Sequence, residues 1–145
     1  PEVGWFALVS EYAACGKTHL AAAIGNYIQS QKKQVIFITV PDLLDYLRET
    51  FAPSSRIGFD QRFHELRSAP MLILDDISME SATPWAREKL FQLLDYRYVA
   101  KLPTVLTAHK NIQDDSRITT RLYDRRVCMI YEIKAADYPS RMNRR

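Results

Sequence analysis

The sequence has 145 residues, enough for one domain with a substantial core and little room for a second. Lys and Arg total 20 against 17 Asp and Glu, a formal net charge of +3; that balance suits phosphate-bearing partners and falls short of a dedicated nucleic-acid binder. Hydrophobic residues make up 47% and charged residues 26%, which excludes a disordered chain, and no apolar run approaches the roughly 20 residues of a membrane span.

The first apolar run, residues 5–9 (WFALV), predicts a buried strand that leads through a small-residue turn into a helix from 17 to about 29. Residues 35–40 (VIFITV) predict a second strand, apolar on both faces as a covered parallel sheet requires. Pro41 opens a helix that places Leu43, Leu44, Leu47 and Phe51 on one side. Pro53, Ser54, Ser55 and Gly58 form a loop, and a short helix from about 60 to 67 precedes a third strand at 71–74. Thr83 and Pro84 make an N-cap and first-turn pair for a helix from about 85 to 99, with Leu90, Leu93, Leu94 and Tyr98 as its core stripe. A fourth strand at 103–107, a short helix at 116–125, a fifth strand at 127–133 and a polar, basic tail complete the pattern. Five strands alternating with helices predict an α/β fold, a three-layer α/β/α P-loop architecture on a five-stranded parallel sheet with right-handed crossovers. Cys15 and Cys128 supply neither a disulfide framework nor a metal quartet, so a reducing, cytoplasmic location is expected. One domain over residues 1–145 is expected too, and Pro1 in place of Met suits a trimmed chain or a fragment.

Gly16, Lys17 and Thr18 stand between a predicted strand and a predicted helix, the context of a phosphate-binding turn. Such a turn converges backbone N–H groups on phosphate at a helix N-terminus and adds a lysine ammonium. A hydroxyl at the next position then reaches Mg²⁺, and Thr18 supplies it. Ala13, Ala14, Cys15, Gly16, Lys17, Thr18 and His19 are therefore the candidate nucleotide-binding residues. The motif's first glycine, five residues before Gly16, is replaced by Glu11, and Ala14 stands where many such loops carry another. Ala14 costs backbone strain only if its φ is positive. A Glu11 carboxylate about 5 Å from phosphate, at an effective dielectric of about 20, means roughly 3 kcal/mol of repulsion and about a hundredfold in affinity, unless it points into solvent.

MLILDD brings Asp75 and Asp76 to the C-terminal end of a strand, where open α/β sheets build ligand sites. Asp75 is the candidate metal ligand opposite Thr18, and Asp76 the group that orients or deprotonates an attacking water. Glu80 lies in the loop that follows.

The stretches ACGKTHLAAAIGNYI, TVPDLLDYLRETF and APMLILDDISMESATPWAREKLFQLLDYRYVAKLPTVLTAHK resemble the AAA+ ATPases of the DnaC/DnaI helicase-loader type, close cousins of the IstB-type ATP-binding proteins of insertion sequences. The resemblance implies that Lys17 and Thr18 are the Walker A lysine and hydroxyl, with Asp75 and Asp76 the Walker B pair. It puts His109 at the sensor-1 position, usually asparagine, where charge state matters near neutral pH. In RITTRL it implies that Arg121 is an arginine finger offered to a neighbour's nucleotide, with Arg117 its companion, and it sets Arg141 at a loosely aligned sensor-2 position. ATP and Mg²⁺ as cofactors, a homo-oligomer formed around ATP, and a replicative helicase and single-stranded DNA as partners follow from the same likeness. The family's amino-terminal partner-binding region has no counterpart in these residues.

Arg117, Arg121 and Arg125 recur every four residues, as on one helix face. Residues 51–67 offer Arg56, Arg62, Arg67, Phe59 and Phe63, a mix suited to single-stranded DNA, although Phe63 and Leu66 also fit the inner side of an amphipathic helix. His19 and His64 lack ligand-spaced partners, and Cys15 reads as a small loop residue. Three functional readings stay open: an ATP-dependent helicase loader, an IstB-like transposition helper, and a non-hydrolysing scaffold in which Glu11, Ala14 and His109 have eroded the site.

Overall fold

A computed structural model describes residues 4–78, 82–111 and 116–136. Its elements are β1 (Trp5–Ser10), α1 (Lys17–Ser30), β2 (Ile36–Thr39), α2 (Val40–Arg48), a 3₁₀ turn at Glu49–Phe51, α3 (Phe59–Ser68), β3 (Leu72–Ile77), α4 (Pro84–Val99), β4 (Thr104–His109), α5 (Ser116–Leu122) and β5 (Cys128–Glu132). The strands form a single sheet in the order β2-β3-β4-β1-β5, and every pairing is parallel. The expected α/β architecture on a five-stranded parallel sheet is the one observed.

Alternation along the strands divides the apolar residues between two faces. Trp5, Ala7 and Val9 of β1, Leu72 and Leu74 of β3, and Leu106 and Ala108 of β4 face α2, α3, α4 and α5. Leu8, Ile73 and Val105 point the other way and pack with Ala21 of α1. A β-carbon on Gly25 of α1 would lie 2.9 Å from the Ile73 side chain, so glycine there lets the helix sit close to the sheet. The chain leaves β1 through α1 on one face and passes over two strands to reach β2. The later crossovers run on the opposite face. The polarity of winding therefore reverses between β1 and β4, and a crevice opens at the C-terminal ends of those strands.

Local signals set the helix starts. Thr83 accepts a hydrogen bond from Ala86 N at 3.2 Å and caps α4, with Pro84 in the first turn as expected. Thr39 accepts from Asp42 N at 3.2 Å and caps α2 one residue earlier than Pro41 suggests. Two expectations are corrected. The third strand runs through both aspartates to Ile77 instead of ending before them, because a bulge lets it continue. The last helix stops at Leu122, so Arg125 lies beyond it and does not share its face with Arg117 and Arg121.

Arg97 is the fold's least expected core residue. It is fully buried on α4, one turn after Leu93 and Leu94 of the stripe. Its guanidinium donates to Thr104 Oγ1 (2.9 Å) and to the carbonyls of Arg67 (3.0 Å), Ala69 (2.7 Å) and Pro103 (2.6 Å). Burial lowers its pKa to about 10, still a cation at neutral pH. These bonds tie the end of α3 to the start of β4.

Candidate functional site

The site grows out of the exit of β1. Gly16 adopts φ +100°, a left-handed conformation that glycine alone takes without strain. No atom lies within 4 Å of where its β-carbon would stand, so the backbone, and not crowding, requires glycine here. Ala14 is not in the left-handed region and takes the second glycine position without that cost. α1 begins at Lys17 with no side-chain cap and no acidic residue in its first turn. Its first N–H groups stay open to an anion, and the helix dipole adds positive potential there. Residues 13–19 line a hollow of about 590 Å³ at this point, the size of a small-molecule site. All seven candidate cradle residues thus surround one cavity, whereas Arg117 stands against α4.

The buried Lys17 side chain folds back along the loop. Its ammonium donates to Tyr12 O at 2.6 Å and Ala13 O at 3.4 Å and lies 3.6 Å from Cys15 Sγ. Burial acts to raise the Cys15 thiol pKa, but hydrogen bonding with Ser10 and the Lys17 charge outweigh it and leave the thiol below its ordinary value.

Asp75 meets this loop from β3. Thr18 Oγ1 stands 3.0 Å from each of its carboxylate oxygens. The Asp75–Asp76 pair occupies a bulge, because Leu74 pairs with Leu106 while Ile77 pairs with Ala108, leaving two residues of β3 opposite Thr107 alone. Asp76 has φ +59°, the left-handed conformation that aspartate tolerates better than most residues. Thr107 is buried and staples the bulge: its hydroxyl donates to Asp75 Oδ1 at 2.6 Å and accepts from Asp76 N at 2.8 Å. Thr107 is the residue that sequence reasoning passed over. It reads as one more β-branched strand residue, and only the pairing of β3 with β4 brings it to the carboxylates.

The two aspartates face opposite ways, as successive strand residues do. Asp75 is buried toward α1, whereas Asp76 is exposed and lines a groove with Pro41, Arg48 and Thr83 between α2 and the start of α4. The extra residue shifts the alternation, so Ile77 rejoins Leu72 and Leu74 in the main core.

His109 ends β4 beside Ser10. Asn111 N donates to its Nδ1 at 3.2 Å, and its Nε2 lies 3.2 Å from Glu11 O. With Nδ1 accepting, the ring proton sits on Nε2 and is donated to that carbonyl. The Glu11 carboxylate is directed away from the hollow to Lys110 Nζ, at 3.1 Å.

The two arginines of α5 lie along α4. Arg117 pairs with Glu88 at 3.0 Å and covers the Phe91 ring at 4.1 Å. Arg121 donates from Nε to Asp95 at 2.9 Å and from Nη2 to the same oxygen, and stacks over Phe91 and Tyr98 at 4.8 and 5.5 Å. Tyr98 donates to Asp124, whose carboxyl is held far below its ordinary range, first by Arg126 and then by that tyrosine. Glu80 and Arg141 lie outside the described residues.

In the segment between the second and third strands, Phe63 and Leu66 are buried. Phe59 stacks between Phe51 and Phe63 at 5.7 and 5.5 Å, and Phe51 is 63% exposed. Arg62 lies over Tyr46 at 4.0 Å and Lys89 over Phe59 at 5.1 Å, so an aromatic ledge edged by cations reaches the surface. Among the described residues no group of three His, Cys, Asp or Glu side chains forms a metal cluster, and no helix is long and apolar enough to cross a membrane.

Comparison with known proteins agrees with this geometry. The replicative helicase loader DnaC of Buchnera aphidicola subsp. Acyrthosiphon pisum is 33% identical over 113 residues, 76% of this chain and 45% of that protein. DnaC of Escherichia coli K12 is 30% identical over 111 residues, with the same two coverages. The chain thus spans less than half the length of these curated relatives. The crystal structure of the DnaC helicase loader superposes with a TM-score of 0.70 at 24% identity, covering 90% of this chain and 78% of that one. AMPPCP-bound DnaA from Aquifex aeolicus superposes with a TM-score of 0.74 at 19% identity, covering 90% and 40%. These likenesses identify the fold as that of AAA+ P-loop NTPases. The family model described as IstB-like ATP binding protein matches residues 8–145, from within β1 to the last residue, and the chain belongs to that family.

Proposed function

We propose that this chain is the nucleotide-binding core of a helicase-loader-type ATPase, which takes Mg-ATP at the turn before α1 and acts on a replicative helicase and single-stranded DNA. The observation that carries the reading is the Thr18 hydroxyl 3.0 Å from both oxygens of Asp75, beside a hollow lined by the loop and the helix start. That juxtaposition of hydroxyl, carboxylate and open N–H groups suits a triphosphate and its metal. The oxygen donors of Thr18 and Asp75 fit Mg²⁺, which supplies charge neutralisation between phosphates when bound.

In this reading the Lys17 ammonium exchanges the Tyr12 and Ala13 carbonyls for phosphate oxygens, a stronger, charge-assisted partnership. Asp76 orients the attacking water only by turning out of its groove between α2 and α4 toward the strand end. His109 holds the loop through Glu11 O and reaches the γ-phosphate only by giving that carbonyl up. Arg121 serves a neighbouring chain's nucleotide after leaving Asp95. The aromatic ledge around Phe51 and Phe59 is where single-stranded DNA stacks, with Arg62 and Lys89 adding charge.

A transposition helper is the second reading, favoured by the family model itself. The scaffold reading loses its main support, because the Glu11 carboxylate is turned to Lys110 and Ala14 is unstrained.

The test is an equilibrium titration with Mg-ATP. The wild type is expected to bind and Lys17→Ala to bind at least about tenfold more weakly, as loss of one charge-assisted contact implies; equal binding by both removes the nucleotide reading. Co-purification of the full-length protein with a replicative helicase or with a transposase separates the first reading from the second.

A further inference from the structure

Glu11 is the most anomalous residue of the phosphate loop, and the structure surrounds it with an arrangement that the nucleotide site itself does not require. Lys110 directly follows β4, and its backbone N–H donates to Ser10 O at 2.9 Å. Its ammonium reaches back across the exit of β1 to two carboxylates: Glu11 at 3.1 Å and Glu132, the last residue of β5, at 2.7 Å. β4 and β5 flank β1 on either side, so the lysine spans the strand end from which the phosphate loop departs. His109, one residue earlier, holds the main chain of the same glutamate through its carbonyl. Glu11 is therefore gripped twice from β4, once at the backbone and once at the side chain.

As a source of stability this is a weak device. The Lys110 and Glu11 side chains are 40% and 57% exposed, and exposed pairs contribute little. Its effect lies in where the negative charge goes. Glu11 is next to Tyr12, whose carbonyl touches the Lys17 ammonium. A Glu11 carboxylate released from its partner is free to turn toward that ammonium, and there it competes directly with phosphate. Paired with Lys110 it is drawn away from the hollow, and its charge is offset in part by an ammonium that it shares with Glu132. Glu132 supplies the second carboxylate that anchors the lysine over the strand end, and together the two glutamates raise the Lys110 pKa, Glu132 contributing the larger share.

We propose that Lys110, braced by Glu132, is a positioning residue of the nucleotide site: it holds the Glu11 carboxylate away from the phosphates and so lets a glutamate stand where phosphate loops carry glycine. The proposal rests on the reading that this loop binds a nucleoside triphosphate. It makes the first loop position and the residue after β4 a matched pair, to be changed together.

The experiment is a double-mutant cycle on the full chain, read as the dissociation constant for Mg-ATP at low ionic strength. Lys110→Ala is expected to weaken binding about tenfold, the size of one partly screened charge interaction. Lys110→Arg, which keeps the cation, stays within about twofold of wild type, and Glu11→Gly binds at least as tightly as wild type. The decisive comparison is Glu11→Gly with Lys110→Ala, expected to match Glu11→Gly alone. Added salt narrows the gap between Lys110→Ala and wild type, because the released carboxylate is screened. Far-UV circular dichroism confirms that each variant is folded. Equal affinity of Lys110→Ala and wild type overturns the proposal. So does an equal loss whether Lys110→Ala is made in the wild type or in the Glu11→Gly variant, which makes Lys110 a general attractor of anions. If neither wild type nor Glu11→Gly binds Mg-ATP, the nucleotide reading itself fails; if both bind and Lys110 has no effect, only the positioning role falls.

Discussion

Thr107 shows how much one hydroxyl can organise. A buried carboxylate needs donors for its oxygens, and Asp75 receives them from two threonines, Thr18 at 3.0 Å and Thr107 at 2.6 Å. The Thr107 oxygen also accepts the Asp76 N–H that the bulge frees from the ladder. Thr107→Val keeps the shape and removes both bonds. It is expected to lower unfolding free energy by about 1–3 kcal/mol in urea titrations. It should also weaken the Mg²⁺ dependence of nucleotide binding, while Thr107→Ser restores both. An unchanged Mg²⁺ dependence in the valine variant separates the staple from the metal ligand. The motif residues Gly16, Lys17, Thr18 and Asp75 are legible in the sequence because their spacing and flanking strands are local. Thr107 is not, because its role depends on the neighbour β4 acquires in the sheet.

Among the elements, α4 illustrates the limit of periodicity. Its leucine stripe is plain in the sequence, yet one turn beyond Leu93 and Leu94 on the same stripe sits Arg97, completely buried. Charged residues are placed outside by pattern because a buried charge is costly. Here four oxygens at the end of α3 and the start of β4 surround a planar fork of donors, and the negative end of the α3 dipole adds to them. Lysine carries the same charge without the fork. Arg97→Lys is expected to destabilise the fold by roughly 2–4 kcal/mol, since several carbonyls and Thr104 lose their donor in the interior. The measurement is the urea midpoint, and a shift within error removes Arg97 from the account of how α3, α4 and β4 are joined.

Across the fold as a unit, the reversal of winding between β1 and β4 concentrates the loop, Asp75 and His109 at one end of the sheet. α5 stands on the face opposite α1, with Arg121 held on α4 by Asp95. Within one chain that arginine is a surface brace; as a finger it requires a second copy. Arg121→Ala is expected to leave Mg-ATP affinity within about twofold and to lower turnover by roughly a thousandfold or more. Wild-type turnover per chain should rise with protein concentration. Its brace contributes at most about 1 kcal/mol, so a small fall in thermal midpoint accompanies the loss without explaining it. Turnover equal to wild type removes the finger role and leaves Arg121 a link between α4 and α5.

Fold class, the order of the elements, the cap formed by Thr83 and Pro84, and the phosphate turn can all be read from the amino acids in order, because each rests on contacts between residues near in the chain. Whether Glu11 blocks the turn cannot, since a side chain's direction depends on what it meets. Lys110 and Glu132 are 99 and 121 positions further along the chain and adjoin the exit of β1 only because β4 and β5 flank that strand. The same holds for Ile77, which one extra residue in β3 returns to the face of Leu72 and Leu74. Pairing between strands distant in sequence arises only when the sheet assembles, and that assembly selects which charges come to face each other.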